Sequence, residues 1–400
     1  MKNYRMIAAM GMLALADGSQ AATTDDPLFY VSPHSSTVQA ATGLEGQAKA
    51  DTLALAEIAT AIWFTTGSPA EIEARVKAIV DDAEARGKVP VLVAYNIPFR
   101  DCALYSAGGA SDTADYLAWI RGFAAGIGER QVIIALEPDS LGIIPWHKDY
   151  EGNWEGCRPD GIDQNTASRD RFTQLWKAVD ILAALPGAKI YLDGTTSSWL
   201  ASSEATSRLI KANIAKADGF FLNVSNFESD DRVIPYAGWL SDCLALVLGA
   251  GLDPRECPSQ YYPADFEDTR SWSRTSAAYD RLFDRLGTKR NPAAQKRAII
   301  DTSRNGQGSW TPPHGRYRDA EVWCNPPDRG LGRLPTSRTG HAYVDAFLWI
   351  KIPGESDGRC HRGTAGPNDP ERRILAPAAG HWFPEQAREL IEHAVPPFPE

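Results

Sequence analysis

Two segments of this chain each end an apolar run in an aspartate. The first reads Val91-Leu92-Val93-Ala94-Tyr95 and continues Asn96-Ile97-Pro98-Phe99-Arg100-Asp101-Cys102; the second reads Val132-Ile133-Ile134-Ala135-Leu136 and continues Glu137-Pro138-Asp139-Ser140. A buried strand followed by a proline turn and a carboxylate directs that carboxylate to the mouth of a parallel α/β sheet or barrel, where such folds carry their sites. Leu192-Asp193 and Glu355-Ser356-Asp357 repeat the pattern, so carboxylates from four strand ends are expected at one rim. A single aspartate at a strand end is ordinarily a turn former or a cap. Four at one rim fit independent capping less well. Crowded carboxylates do not all ionise cheaply, so one is expected to stay protonated near neutral pH and serve as an acid. Acids delivered together to one mouth are the equipment of glycoside hydrolysis, in which one protonates the leaving oxygen and another manages the water.

The elements that must position these acids alternate along the chain. Strand-like runs are read at Thr60–Phe64, Val91–Tyr95, Val132–Leu136, Lys189–Asp193, Gly219–Val224, Arg297–Asp301 and Ala346–Lys351, with an edge segment at Leu28–Val31. Most lack strict polar/apolar alternation, which suits strands buried on both faces. Ser68-Pro69-Ala70-Glu71 carries a helix start: a Ser cap, Pro at the first helical position and a Glu that completes a capping box. Further helical patterns run over Asp112–Gly126, Arg169–Leu185, Ser203–Ala217, Arg274–Leu286 and Pro384–Ala394. Seven β/α units in a row predict a barrel or a doubly wound sheet in one domain. Two loop-rich stretches, Ile143–Asn165 and Thr302–Thr339, are long enough to be binding walls.

Composition narrows the partners. With 400 residues, 43% apolar and 23% charged, the chain has the make-up of a soluble globular protein. A net charge of -10 argues against a nucleic-acid surface, which rests on Lys/Arg stripes. The 12 Trp and 13 Tyr offer flat apolar faces on which sugar rings can stack, although core packing is the commoner use of Trp. Residues 1–21 read as an export signal: Lys2 and Arg5, an apolar run Met6–Ala16, and a small-x-small site at Ser19-Gln20-Ala21. That run is too short to span a bilayer, and no later stretch is read as reaching transmembrane length. A protein outside the cytoplasm, secreted or periplasmic and not membrane-bound, is therefore expected. The six Cys, at 102, 157, 243, 257, 324 and 360, favour three disulfides in such a compartment. Their order alone leaves fifteen connectivities open. Zinc is the weaker reading, because no Cys-x-x-Cys occurs and the 7 His do not cluster at ligand spacing.

These residues resemble glycoside hydrolase family 6. Tyr95, Pro98, Arg100, Asp101 and Cys102, followed by Ala107-Gly108-Gly109, are similar to the first signature of that family, and Glu137-Pro138-Asp139-Ser140 is similar to the second. The resemblance continues through Phe221–Asn226, Ile300–Gly306, Trp323–Pro326, Phe347–Lys351 and Pro353–Gly358, covering roughly residues 28–396.

The resemblance implies a distorted seven-stranded parallel β/α barrel as the single catalytic domain of residues 22–400. It implies inverting hydrolysis of β-1,4-glucan without metal or cofactor, by a protein expected to act as a monomer. Asp139 looks like the general acid, Asp101 like the neighbour that keeps its proton available, and Asp357 like the carboxylate on the water side. Tyr95 matches the tyrosine that distorts the reacting sugar. Lys351 and Glu355 match a sugar-binding pair before the scissile bond, Trp323 a stacking platform on that side, and Trp199 one beyond it. Arg100, Asp193, Asn223 and Asn226 complete the implied substrate contacts. The same resemblance pairs Cys102 with Cys157 and Cys324 with Cys360, which leaves Cys243 for Cys257; each bridge is expected to tie a cleft wall to the scaffold.

The chain departs from the family pattern at Thr195-Thr196, where many members carry Gly-His after an alanine. His34 and Ser202 stand where some cellobiohydrolases place stacking tryptophans, and Cys360 follows Asp357 too closely for a long roofing loop. These departures favour an open cleft and cutting within chains. Release of cellobiose from chain ends is the alternative, supported by Ile143–Asn165 if that loop forms a lid.

Overall fold

The computed structural model describes residues 28–399, so the expected export signal lies outside the described residues. Seven strands form one sheet in sequence order, all parallel: β1 (Ile62–Phe64), β2 (Val91–Ala94), β3 (Val132–Leu136), β4 (Ala188–Asp193), β5 (Gly219–Leu222), β6 (Arg297–Asp301) and β7 (Val344–Leu348). The sheet curls far enough for a parallel bridge between Thr60 and Trp349, where the Ala61 N–H donates to the Trp349 carbonyl at 2.9 Å. Helices α1 (Ser36–Ala41) and α2 (Gly46–Ala56) precede β1. Then α3 (Pro69–Ala85), α4 (Thr113–Ile127), α5 (Ala167–Leu182) and α6 (Ser202–Lys211) follow β1 to β4 in turn. Helices α7 (Asp230–Ala250) and α8 (Ser273–Leu286) both follow β5, and α9 (Pro384–Glu392) ends the fold. No α-helix separates β6 from β7; the loop-rich stretch after β6 takes its place.

Strand side chains alternate between two cores, because successive residues point to opposite faces. Leu92, Ala94, Ile134, Leu136, Ile190 and Leu192 pack outward against the helices. Val91, Val93, Tyr95, Ala135, Tyr191, Phe221 and Ile299 fill the inside of the curl. Burial on both faces explains the unbroken apolar runs. The capping box of α3 is formed: Ser68 Oγ accepts from the Glu71 N–H at 3.3 Å, and the Ser68 N–H donates to Glu71 Oε2 at 2.7 Å. The edge segment near residue 29 contributes one parallel bridge, Phe29 to Val89.

Helix α7 corrects the sequence reading. At 21 residues it is the longest helix among the described residues, and by length and composition alone it could cross a membrane. Its apolar face is instead core material: Val233, Tyr236, Trp239, Leu240, Leu244 and Leu246 are all buried. Pro235, inside the helix, removes a backbone donor and masks the pattern in sequence.

Candidate active site

The C-terminal ends of the strands carry the site, on backbone of unusual shape. Non-glycine residues with left-handed φ cluster there: Phe99, Asp101 and Cys102 after β2, Glu137 and Asp139 after β3, Thr195 after β4, Asn223 and Ser225 after β5. Each such residue costs about 1–3 kcal/mol and persists only where its surroundings over-determine it. Three buried carboxylates do much of that holding. Glu137 accepts from the Asn96 N–H at 2.9 Å and the Ile97 N–H at 3.0 Å, joining the β3 turn to the β2 turn. Asp193 accepts from Thr195 N–H (2.8 Å) and Leu141 N–H (3.3 Å), joining β4 to the Asp139 turn. Asp301 accepts from the backbone of Ser225, Ser303, Ile350 and Lys351, joining the ends of β5, β6 and β7.

Two buried arginines clamp the Asp139 turn from outside. Arg171, on α5, donates to the carbonyls of Ser140 (3.0 Å), Ile143 (2.8 Å) and Pro98 (2.8 Å). Arg208, on α6, donates to the Leu141 carbonyl at 2.8 Å and pairs with Glu204 and Glu155. One side chain thus fixes the turns of Asp101 and Asp139 together, and the other ties Asp139 to the outer loop.

Over this rim lies a cleft of about 720 Å³. Asp101, Asp139 and Asp357 all line it, with Tyr95, Arg100, Trp199, Asn226, Trp323, Lys351 and Glu355. Asp193 and Asn223 do not line it. Asn223 is fully buried, its amide donating to the Glu228 and Asp301 carbonyls while its oxygen accepts from Thr196 Oγ1. Arg100 reaches the cleft, but its guanidinium is engaged by the carbonyls of Thr65, Tyr95 and Ser106 and lies 4.7 Å over the Tyr95 ring. It holds the tyrosine and the Asp101 loop in place.

The three cleft acids are electrostatically unlike. Burial pushes the Asp139 carboxyl well above its ordinary value, and the negative charges of Asp193, Asp101 and Asp357 push it further. Burial raises Asp101 to about 6, against the Ser106 N–H at 2.6 Å and the nearby Arg100. Burial also acts on Asp357, but Arg304 at 2.8 Å and Lys351 at 3.6 Å outweigh it, with help from the Asn325 N–H at 2.9 Å. Asp357 is therefore held below the usual carboxylate range. Their surroundings thus favour the protonated form of one cleft carboxyl and the charged form of another, the division of labour used in acid-assisted attack by water.

Trp63, Arg304 and Tyr105 also shape the site and carry no mark of it in the sequence. Trp63 lines the cleft, donates from Nε1 to the Ile350 carbonyl at 2.8 Å and meets the Tyr95 ring edge-on at 5.4 Å. Arg304 lies four residues into the Ile300–Gly306 segment, whose strand end was legible although its ion pair was not. Tyr105 joins separate loops: its hydroxyl donates to Glu321 Oε1 at 2.8 Å, and its ring lies 5.9 Å from Trp323 and 6.3 Å from His361.

The disulfides are Cys102–Cys157, Cys243–Cys257 and Cys324–Cys360. The first and third anchor the loops of Asp101 and Trp323. Cys243–Cys257 joins α7 to the segment after it within the outer core, and neither cysteine lines the cleft, so this bridge does not tie a cleft wall. The stretch Ile143–Asn165 does not roof the site. Only Ile143 of it lines the cleft; the rest is held by the Lys148–Trp154 bridge, the bond from Trp146 Nε1 to the Pro159 carbonyl, the Glu155–Arg208 pair and the Cys102–Cys157 disulfide. Ser202 is buried, donating to the Pro258 carbonyl, and so leaves no aromatic at that place in the cleft.

Comparison with known proteins agrees with this architecture. The model of a family described as glycosyl hydrolases family 6 matches residues 24–394. The chain is 32% identical over 387 residues to endoglucanase A of Thermobispora bispora, spanning 96% of this chain but 66% of that protein. It is 32% identical over 367 residues to endoglucanase 1 of Streptomyces halstedii, spanning 91% and 88%. The structure of the endoglucanase Cel6 from Mycobacterium tuberculosis, in complex with methyl-cellobiosyl-4-deoxy-4-thio-β-D-cellobioside, matches with a TM-score of 0.65 at 30% identity over 91% of this chain and 96% of that one. With the sheet, the rim of acids and a family match over nearly the whole length, the chain belongs to glycosyl hydrolase family 6.

Proposed function

We propose that this protein is a secreted endo-β-1,4-glucanase that hydrolyses internal bonds of cellulose or soluble β-1,4-glucan with inversion. The observation that carries the reading is the split among the cleft acids: Asp139 is driven toward its protonated form and Asp357 is held ionised by Arg304. In this reading Asp139 donates its proton to the glycosidic oxygen as that bond breaks. Water attacks the anomeric carbon from the other face, and its proton passes to Asp357 directly or through further water. Asp101 keeps the proton on Asp139 through its own charge. Trp323, Lys351 and Glu355 bind the sugars before the scissile bond, Tyr95 distorts the reacting ring and Trp199 receives the sugars beyond it. Inversion predicts the α anomer as first product by proton NMR.

Cutting within chains is supported by the Ile143–Asn165 stretch, of which only Ile143 lines the cleft, by the buried Ser202 and by the endoglucanase names of the relatives. Disulfides and the expected export signal support action outside the cytoplasm. One observation favours the second reading, release of cellobiose from chain ends: Tyr105 brings the loop after β2 against the loops of Trp323 and His361. The test is the fall in viscosity of carboxymethylcellulose against the rise in reducing ends. Endo action predicts a steep loss of viscosity at few cuts, and a slow proportional loss would favour the chain-end reading.

A further inference from the structure

The turn that carries Asp139 also touches the platform proposed for the leaving sugars. Gly142 lies three residues after the acid, and its N–H donates to the Asp139 carbonyl at 3.0 Å. A Cβ built at Gly142 would lie 2.5 Å from Trp199 Cη2, 2.6 Å from Cζ2 and 2.9 Å from Cζ3. The far edge of the indole therefore rests on the bare Cα of this glycine, closer than any side chain would allow. The backbone of both partners is held. The turn is gripped by Arg171 at Ser140 and Ile143 and by Arg208 at Leu141. The Trp199 N–H donates to the Thr196 carbonyl at 3.0 Å, and its carbonyl accepts from Tyr261 Oη at 3.3 Å.

We infer that Gly142 is a positioning residue that sets the register between the Trp199 sugar platform and the proton donor Asp139. The inference rests on the proposed role of Trp199. Because the indole is seated directly on the acid's own turn, a sugar stacked on that ring is placed at a fixed offset from the proton it must receive. Any side chain at 142 pushes the ring off by about an ångström to restore ordinary van der Waals contact, and a displacement of that size can cost on the order of 100-fold in rate. The effect belongs to substrates whose leaving group includes sugars. An aryl cellobioside places no sugar on Trp199.

The test is a coupling cycle on cellohexaose and on 2,4-dinitrophenyl β-cellobioside, with thermal unfolding measured for every variant. Gly142→Ala is expected to lower kcat/KM on cellohexaose by about 10- to 100-fold while leaving the aryl cellobioside rate and the melting temperature near the parent. Placed on Trp199→Ala, the same substitution is expected to have no further effect. Placed on Trp199→Phe, whose shorter ring leaves room for the methyl, it is also expected to be harmless. If Trp199→Ala is impaired and Gly142→Ala costs as much in that background as in the parent, the register role is overturned while the platform stands. If Gly142→Ala slows both substrates equally, its effect is on the acid turn alone and the inference also fails. If Trp199→Ala keeps the parent rate on cellohexaose, the platform reading fails and takes this inference with it.

Discussion

Arg304 donates from Nη1 to Asp357 Oδ2 at 2.8 Å with both side chains buried, and its second nitrogen donates to the Ser225 carbonyl at 2.7 Å. This pair favours the charged form of Asp357 and ties it to the loop after β5. Removing the cation leaves the buried charge with only Lys351 at 3.6 Å to balance it, and breaking a buried pair costs about 3–5 kcal/mol. Arg304→Met is therefore expected to lower stability by that order in denaturant titration and to abolish turnover. An Arg304→Met protein as stable as the parent would contradict the assignment of this pair.

Asp193 never touches the cleft, yet its charge is the largest electrostatic contribution to the raised proton affinity of Asp139, after burial itself. Burial moves Asp193 to about 6, so it is charged on the alkaline side of that value. Asp193→Asn is expected to let the Asp139 pKa fall and to move the alkaline limb of the kcat/KM profile to lower pH. A limb that stays in place would show the two acids to be uncoupled.

Stability should peak in mildly acid solution. Asp101 and Asp193 rise to about 6 and Glu137 to about 7, each through burial. A carboxyl whose folded pKa is raised binds protons more tightly when folded, so its contribution is full below the unfolded value near 4 and is lost as pH rises through 6 to 7. For a two-unit shift the loss is up to about 3 kcal/mol per group. Asp357 has the opposite sign: its depressed pKa adds stability above about pH 4 that is lost on further acidification. Melting temperature against pH is expected to have its maximum between about pH 4 and 6, and Glu137→Gln to flatten the alkaline decline.

Tyr105 offers a handle on the mode of attack. Its ring sits where a Cβ on Gly358 would lie 2.4 Å from Tyr105 Cβ, so the loops of Asp101 and Asp357 meet in close contact. Tyr105→Ala is expected to separate them and to increase the loss of viscosity per reducing end formed on carboxymethylcellulose. An unchanged ratio would show that this contact does not restrict entry of a chain.

Much of this was legible in sequence because strand ends carry compact signatures. All seven strands overlap the segments expected for them, with β4 beginning one residue and β7 two residues earlier, and the three expected acids line the cleft. What sequence did not separate was acids that face the cleft from acids that face the backbone. Asp193 and Asp139 both end apolar runs, but Asp193 points at the N–H groups of Thr195 and Leu141 and holds a neighbouring turn. That difference is set by one or two left-handed residues at each turn, which carry no mark in residue type. Arg171, Arg208 and Arg304 were hidden for a related reason: a buried arginine on a helix or turn looks like a solvated one until its carbonyl partners are known. The contact of Gly142 with Trp199 spans separate β/α units and has no local signal.

Asp139→Asn, assayed on two substrates, tests whether Asp139 supplies the proton to the leaving sugar. On cellotetraose, whose leaving group needs that proton, turnover is expected to fall by about 100- to 10,000-fold. On 2,4-dinitrophenyl β-cellobioside, whose leaving group departs without one, most activity should survive, and binding of cellotetraose followed by tryptophan fluorescence should be nearly intact. Turnover of cellotetraose near the parent rate, with the fold unchanged, would contradict the account.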